Sequence, residues 1–262
     1  MKRKFRGAAF AAAPFLFGST AYAQWGSYTA PRNASVDASG AKSVEVEAAA
    51  GSLRVEGKPG LQQVQVTGTA RASSQRLLND IKLIAERRGD VVFIKADILD
   101  DDWRQNGEAA LDLVIAVPQG MNADISDGSG DARVSDVGDL EAHDGSGEFT
   151  VIGARSVRIT DGSGELTIEN IGGDVRVNDG SGEVNVRNVS GSFIVESDGS
   201  GSLSARDVRG SVIVESDGSG GIDVSGVGKD FRVENKGSGN IDYAQVTGTV
   251  DVPDRRDRRH RN

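Results

Sequence analysis

Cysteine is absent from all 262 residues, so disulfides, zinc–thiolate sites and a lipid-anchored cysteine are excluded. Aromatic residues make up only 5% of the chain, against 35 glycines, a profile that suits many tight corners better than a thick globular core. Histidine occurs twice, at His143 and His260, which leaves little room for imidazole-based chemistry. No stretch beyond the first two dozen residues approaches the roughly 18 apolar residues of a transmembrane helix. The net charge of −9 argues against binding nucleic acid along the body of the chain.

What the sequence has in abundance is repetition. Asp-Gly-Ser-Gly starts at Asp127, Asp144, Asp161, Asp179, Asp198 and Asp217, and Lys236-Gly-Ser-Gly follows as a seventh copy without the acid. The intervals are 17, 17, 18, 19, 19 and 19 residues, the signature of a repeat architecture. With the Asp as position 0, apolar residues fall at positions 5, 7, 10, 14 and 16, as in Leu166, Ile168, Ile171, Val175 and Val177. Positions 5 and 7 share parity, as do 14 and 16, so each unit reads as two short strands and two corners. Asp-Gly-Ser-Gly makes one corner, and a second glycine (Gly173, Gly191, Gly210, Gly248) is expected to make the other. The fold class that follows is all-β, a parallel β-solenoid of about seven 17–19-residue coils preceded by an N-terminal β-strand cap.

Five segments are expected along the chain. Residues 1–23 read as a signal peptide: basic Lys2, Arg3, Lys4 and Arg6, an apolar run over Ala8–Phe17, and Ala21-Tyr22-Ala23 as the cleavage site. Residues 24–42 are expected to be a flexible leader. Residues 43–120 read as the β cap, with Val44, Val46 and Ala48 on one face and Leu111, Leu113, Ile115 and Val117 in its last strand. Within it, residues 75–94 are expected to form a hairpin after a short helical turn, with Arg88-Gly89-Asp90 at its tip. Residues 121–253 carry the solenoid repeats, and 254–262 form a basic, disordered tail that blocks end-to-end growth and could contact anionic surfaces. Export without an anchor places the chain in the periplasm or outside the cell.

At this point the chain resembles the DUF4097 family of exported bacterial proteins, named as putative adhesins. The resemblance rests on the strand Leu111–Val117 ending in Val117-Pro118-Gln119-Gly120, on Gly-Ser-Gly-acid before each strand, as in Gly180-Ser181-Gly182-Glu183, and on corners such as Val189-Ser190-Gly191-Ser192-Phe193. It covers about residues 40–252. It implies a β-solenoid with an N-terminal β cap and brings no catalytic residues.

The strongest chemical candidate is the aspartate column itself. In register, Asp127, Asp144, Asp161, Asp179, Asp198 and Asp217 lie one above another, and Asp131, Glu148, Glu165 and Glu183 form a partial second column. The simplest account is turn chemistry, each carboxylate accepting the N–H groups of the following Gly and Ser, which would lower its pKa. The alternative is a Ca2+ site, because stacked carboxylates, serine hydroxyls and corner carbonyls are hard oxygen ligands. The chain lacks the Gly-Gly-x-Gly-x-Asp nonapeptide of calcium-binding β-rolls.

The serine column from Ser129 to Ser238 has only His143 as a base near it, so it reads as corner chemistry and not as a set of nucleophiles. Outward arginines (Arg133, Arg158, Arg176, Arg187, Arg206, Arg232) are interspersed with acids and form no recurring cluster of the kind a carbohydrate-active β-helix enzyme needs. The run Asp97, Asp100, Asp101 and Asp102 before Trp103 reads as a solvated acidic loop, and Ile194 with Ile213 is a candidate for part of a partner surface. The functional expectation is a non-enzymatic binding or structural module of the cell envelope, its partner an envelope polymer or protein. A Ca2+-dependent folding module and a carbohydrate-active enzyme are the alternatives.

Overall fold

Apolar residues at alternate positions commit each half-repeat to an extended strand with one dry face, and a single coil has nothing to bury that face against. Stacking solves this. The computed structural model describes residues 28–98 and 107–253, and in it the coils pack into a parallel β-solenoid built from two eleven-stranded sheets, A and B, around one continuous core.

The chain enters through β1 (Tyr28–Asp37), β2 (Ser43–Glu47), β3 (Leu53–Lys58) and β4 (Gln63–Ala72). The helix α1 (Gln75–Asp80), β5 (Ile81–Arg88), β6 (Val91–Ile98) and β7 (Ala109–Pro118) follow. The repeats then alternate between sheets. In sheet B lie β8 (Asn122–Asp127), β10 (Asp139–Asp144), β12 (Ser156–Asp161), β14 (Val175–Asp179), β16 (Phe193–Asp198), β18 (Val212–Ser219) and β20 (Phe231–Ser238). In sheet A lie β9 (Ala132–Ser135), β11 (Gly147–Ile152), β13 (Gly164–Ile171), β15 (Gly182–Val189), β17 (Gly201–Val208), β19 (Ile222–Val227) and β21 (Ile241–Val246). The short β22 (Val250–Asp251) ends sheet B.

Like pairs with like from coil to coil: Leu166 beside Val184, Ile168 beside Val186, Ile171 beside Val189. Each of these side chains is at most 2% exposed. At about 1.5–3 kcal/mol per buried aliphatic side chain, the five core positions of a coil supply its driving force. Phe193 and Phe231 sit at equivalent positions with Val212 between them, so large and small residues alternate along the stack. Where the repeat lengthens from 18 to 19 residues, a β-bulge after Val177 absorbs the extra residue, and Asp179 still faces Asp198.

The N-terminal strands continue both sheets. β2 pairs in parallel with β8, and β3 with β9, so residues 43–58 form a coil against the first repeat. β6 and β7 form another outside it. The antiparallel strands β1, β4 and β5 close that end. The expected hairpin is present: Ser74 caps α1 by accepting from the Leu77 N–H, and β5 returns as β6 through Arg88-Gly89-Asp90.

One expectation is corrected. The leader assigned to 24–42 is not a free segment from Tyr28 onward, because β1 pairs with β4 over ten residues. Its inward positions, Ala30, Arg32, Ala34 and Val36, are two alanines, one valine and a charged residue, which hid the alternation, and Pro31 is tolerated because this is an edge strand. The second corner bends at Gly173, Gly191 and Gly210 as expected, and just before it Asn170, Asn188 and Asp207 are left-handed, with φ of 60°, 57° and 57°. Asn and Asp adopt this region more readily than most residues, and the Asn188 amide donates to Asn170 Oδ1 at 2.6 Å, linking one corner to the next.

Candidate functional site

Each sheet B strand from β8 to β16 ends on its aspartate, and β18 carries Asp217 at the equivalent place. In β12 the inward residues are Val157, Ile159 and Asp161; in β14 they are Val175, Val177 and Asp179. The alternation that buries the valines therefore buries the acid. Asp127 and Asp144 are 6% exposed, Asp217 4%, and Asp161, Asp179 and Asp198 2%. Strand pairing sets Asp127, Asp144, Asp161, Asp179, Asp198 and Asp217 in one unbroken column, at the 4.7–4.9 Å spacing of adjacent strands.

The raised pKa values of these carboxyls run against the lowering expected of turn chemistry. The N–H groups of Gly145, Gly162, Gly180 and Gly199 donate to the main-chain carbonyls of the previous coil's aspartates at 2.9–3.1 Å, as part of the ladder. No carboxylate oxygen of Asp127, Asp144, Asp161, Asp179 or Asp198 makes a well-directed hydrogen bond, although the N–H of the following glycine or serine, or the carboxyl of a neighbouring coil, acts on each. Nearby amides such as that of Gly145 favour the charged form only weakly, and burial outweighs them. Burial pushes Asp127 up to about 6. Burial and then the neighbouring carboxylates push Asp144 and Asp179 up to about 7. Asp198 rises to about 6, again through burial first, with Lys236 pulling the other way. Asp161 is raised too, by burial, while its two neighbouring carboxyls oppose the shift.

The column ends differently. Lys236 pairs in register with Asp217. Its ammonium is 5% exposed and donates to Asp217 Oδ2 at 2.8 Å and to the Gly220 carbonyl at 3.0 Å. The seventh repeat replaces the acid with a cation aimed into the same interior position.

The second acid column faces outward. Glu148, Glu165 and Glu183 are exposed and accept from Thr150, Thr167 and Asn185 two residues on. His143 points out from its strand, between inward Ala142 and Asp144, and is not oriented as a base for the serine corners. The outward arginines form separate surface pairs, Arg158 with Glu196 at 2.9 Å and Arg187 with Glu169 at 2.7 Å.

One surface cluster escaped the sequence reading. Arg155 and Ser156 both donate to Asp139, Arg155 also reaches Asn122 at 3.2 Å, and the Arg155 guanidinium holds the Asp139 carboxyl down to about 2. Its members come from three successive coils, and no motif connects them.

Along the outer face of sheet B, one row runs Asp124, Glu141, Arg158, Arg176, Ile194, Ile213, Arg232, from acid through base to an apolar pair. Ile194 and Ile213 are adjacent and half-buried there. The matching row of sheet A is Thr167, Asn185, Ser204, Asp223 and Asp242. Asp100–Asp102, Trp103, His260, the signal segment and the basic tail lie outside the described residues.

No protein-family model matches the sequence, the DUF4097 family included, and no curated protein sequence matches it. Solved structures do. A putative adhesin from Bacteroides fragilis aligns with a TM-score of 0.52 at 11% identity, over 87% of this chain and 98% of that one. A putative cell adhesion protein from Clostridium sporogenes aligns over 86% and 99% at 12% identity, with a TM-score of 0.32. A putative adhesin from Parabacteroides merdae aligns over 87% and 97% at 9% identity, with a TM-score of 0.34. The first of these establishes a shared fold.

Proposed function

We infer that this chain is an exported, non-enzymatic binding module of the cell envelope, adhesin-like and related to the DUF4097 proteins. The observation that carries the reading is the outer row of sheet B. A flat, repeating surface of about 34 Å, from seven coils at the strand spacing, presents acid, base and an apolar pair in sequence. Such a face suits many weak contacts with an extended polymer or another repeat protein. A cleft on the same face is lined by Asp124, Asp139, Glu141, Arg158 and Arg176, charged groups suited to holding a polar ligand. The description of the Bacteroides fragilis neighbour as a putative adhesin agrees with this reading.

The test is co-sedimentation of the purified mature chain with a bacterial envelope fraction. The wild type is expected in the pellet, and Ile194→Glu with Ile213→Glu in the supernatant, because two buried contacts would become repulsive. Wild-type protein that stays wholly soluble with every envelope fraction contradicts the function, and full binding by the double variant contradicts the choice of face.

A further inference from the structure

Five carboxylates in a dry interior, none with a well-directed hydrogen bond, are costly when all are charged. Like charges in neighbouring coils add repulsion. A proton shared between neighbouring carboxyls or an entering cation relieves this, and the seventh repeat shows a cation in place. The Lys236 ammonium lies in the column, held by the Asp217 carboxylate and the Gly220 carbonyl. That carbonyl belongs to the residue three positions after the aspartate. The same position is glycine in every upstream repeat: Gly130, Gly147, Gly164, Gly182 and Gly201. Their φ values, 125–148°, bracket the 143° of Gly220, so these glycines hold the equivalent place in each coil with a similar positive φ.

We propose that the interior aspartate column is a cation site, binding Ca2+ between successive coils of the solenoid, with Lys236 as the built-in cation that terminates it. The donor set is all oxygen, which is the chemistry of a hard cation. An ion midway between coils lies about 2.4 Å along the axis from each carboxylate layer, half the strand spacing. An oxygen set off the axis is farther still, so the spacing sits toward the upper end of the Ca2+–oxygen range of about 2.3–2.6 Å and exceeds the roughly 2.0–2.1 Å that Mg2+ requires. Two bidentate carboxylates and two glycine carbonyls make about six ligands, the lower end of calcium's range.

Charge sets the number of ions. One dication between two carboxylates is neutral. Filling the next interval as well would put two dications about 4.8 Å apart, so alternate intervals fill. The five unpartnered aspartates then hold two ions and leave one aspartate over. Without Asp144, only the adjacent intervals Asp161–Asp179 and Asp179–Asp198 remain, and one of them fills.

The test uses the full mature chain, refolded from denaturant at pH 7.5 in Ca2+ or in EDTA. Equilibrium dialysis is expected to give two tightly held Ca2+ per chain. With two ions the melting temperature should rise by about 10–20 °C at a hundredfold excess over Kd, with a clearly smaller rise in Mg2+. Asp144→Asn, which is isosteric and uncharged, should retain one ion. Glu165→Gln with Glu183→Gln, on the exposed column, should retain two. Wild-type protein that retains no Ca2+ and melts identically in both solutions overturns the proposal, as does full loss in the exposed-column variant with no loss in Asp144→Asn.

Discussion

At the scale of a single residue, the aspartates behave as buried acids first and as turn residues second. Their raised pKa values carry a definite sign. The unfolded carboxyls titrate near 3.8, while Asp127 and Asp198 titrate at about 6 and Asp144 and Asp179 at about 7 when folded. Between these limits the native state binds more protons, so stability falls as pH rises from about 4 to about 7 and then levels for these groups. In EDTA, thermal melts at pH 5 should exceed those at pH 7.5, and added Ca2+ should narrow the gap by restoring stability at the higher pH. A melting temperature in EDTA that climbs steadily from pH 5 to 7.5 would contradict this. Lys236 gives the complementary prediction. Lys236→Met leaves the Asp217 carboxylate buried without its cation, at a cost of about 3–5 kcal/mol, measurable by urea denaturation. The double variant Lys236→Met with Asp217→Leu should recover most of that loss.

At the scale of the strand and corner, the close approach of coils decides which residues are allowed. Gly182 has φ of 148°, and a Cβ there would overlap the Gly164 carbonyl oxygen of the coil below. Gly182→Ala therefore faces both a disfavoured backbone and a clash, and should cost at least about 1–3 kcal/mol by chemical denaturation. At Gly60, whose φ of 73° lies in the left-handed helical region and which has open space around it, alanine should cost less. The two-strand coil was legible in the sequence because position counting exposes parity directly. The inward direction of the acids was legible too, had the count been continued: Val175, Val177 and Asp179 fall at alternate positions of one strand. What hid it was the expectation that charge belongs at the surface, together with the bulge that breaks the parity in the 19-residue coils. The second corner was legible through its glycines, but the left-handed Asn170 and Asn188 just before it were not, and Gly191 also serves the close contact with Gly173.

At the scale of the whole molecule, register converts one local choice into a property of the stack. A single aspartate per repeat becomes a column running through the interior, and a single outward residue per strand becomes a row along a face. The repeat made the solenoid readable from sequence, since every coil states the same pattern. The apolar pair Ile194 and Ile213 was readable in the same way, from their shared repeat position, whereas the change from acid to base along the rest of the row follows no common pattern from coil to coil. The Asp139, Arg155 and Asn122 cluster depends on three coils being stacked.

The most direct test of a cation-filled interior is a crystal structure of the mature chain grown with Ca2+ at pH 7.5, with anomalous scattering measured. Two anomalous peaks inside the solenoid, each between two neighbouring aspartates and in alternate intervals, are the expected result. Carboxyl oxygens of adjacent coils drawn to about 2.5–2.7 Å of each other, the spacing of a shared proton, with no anomalous density between them would contradict it.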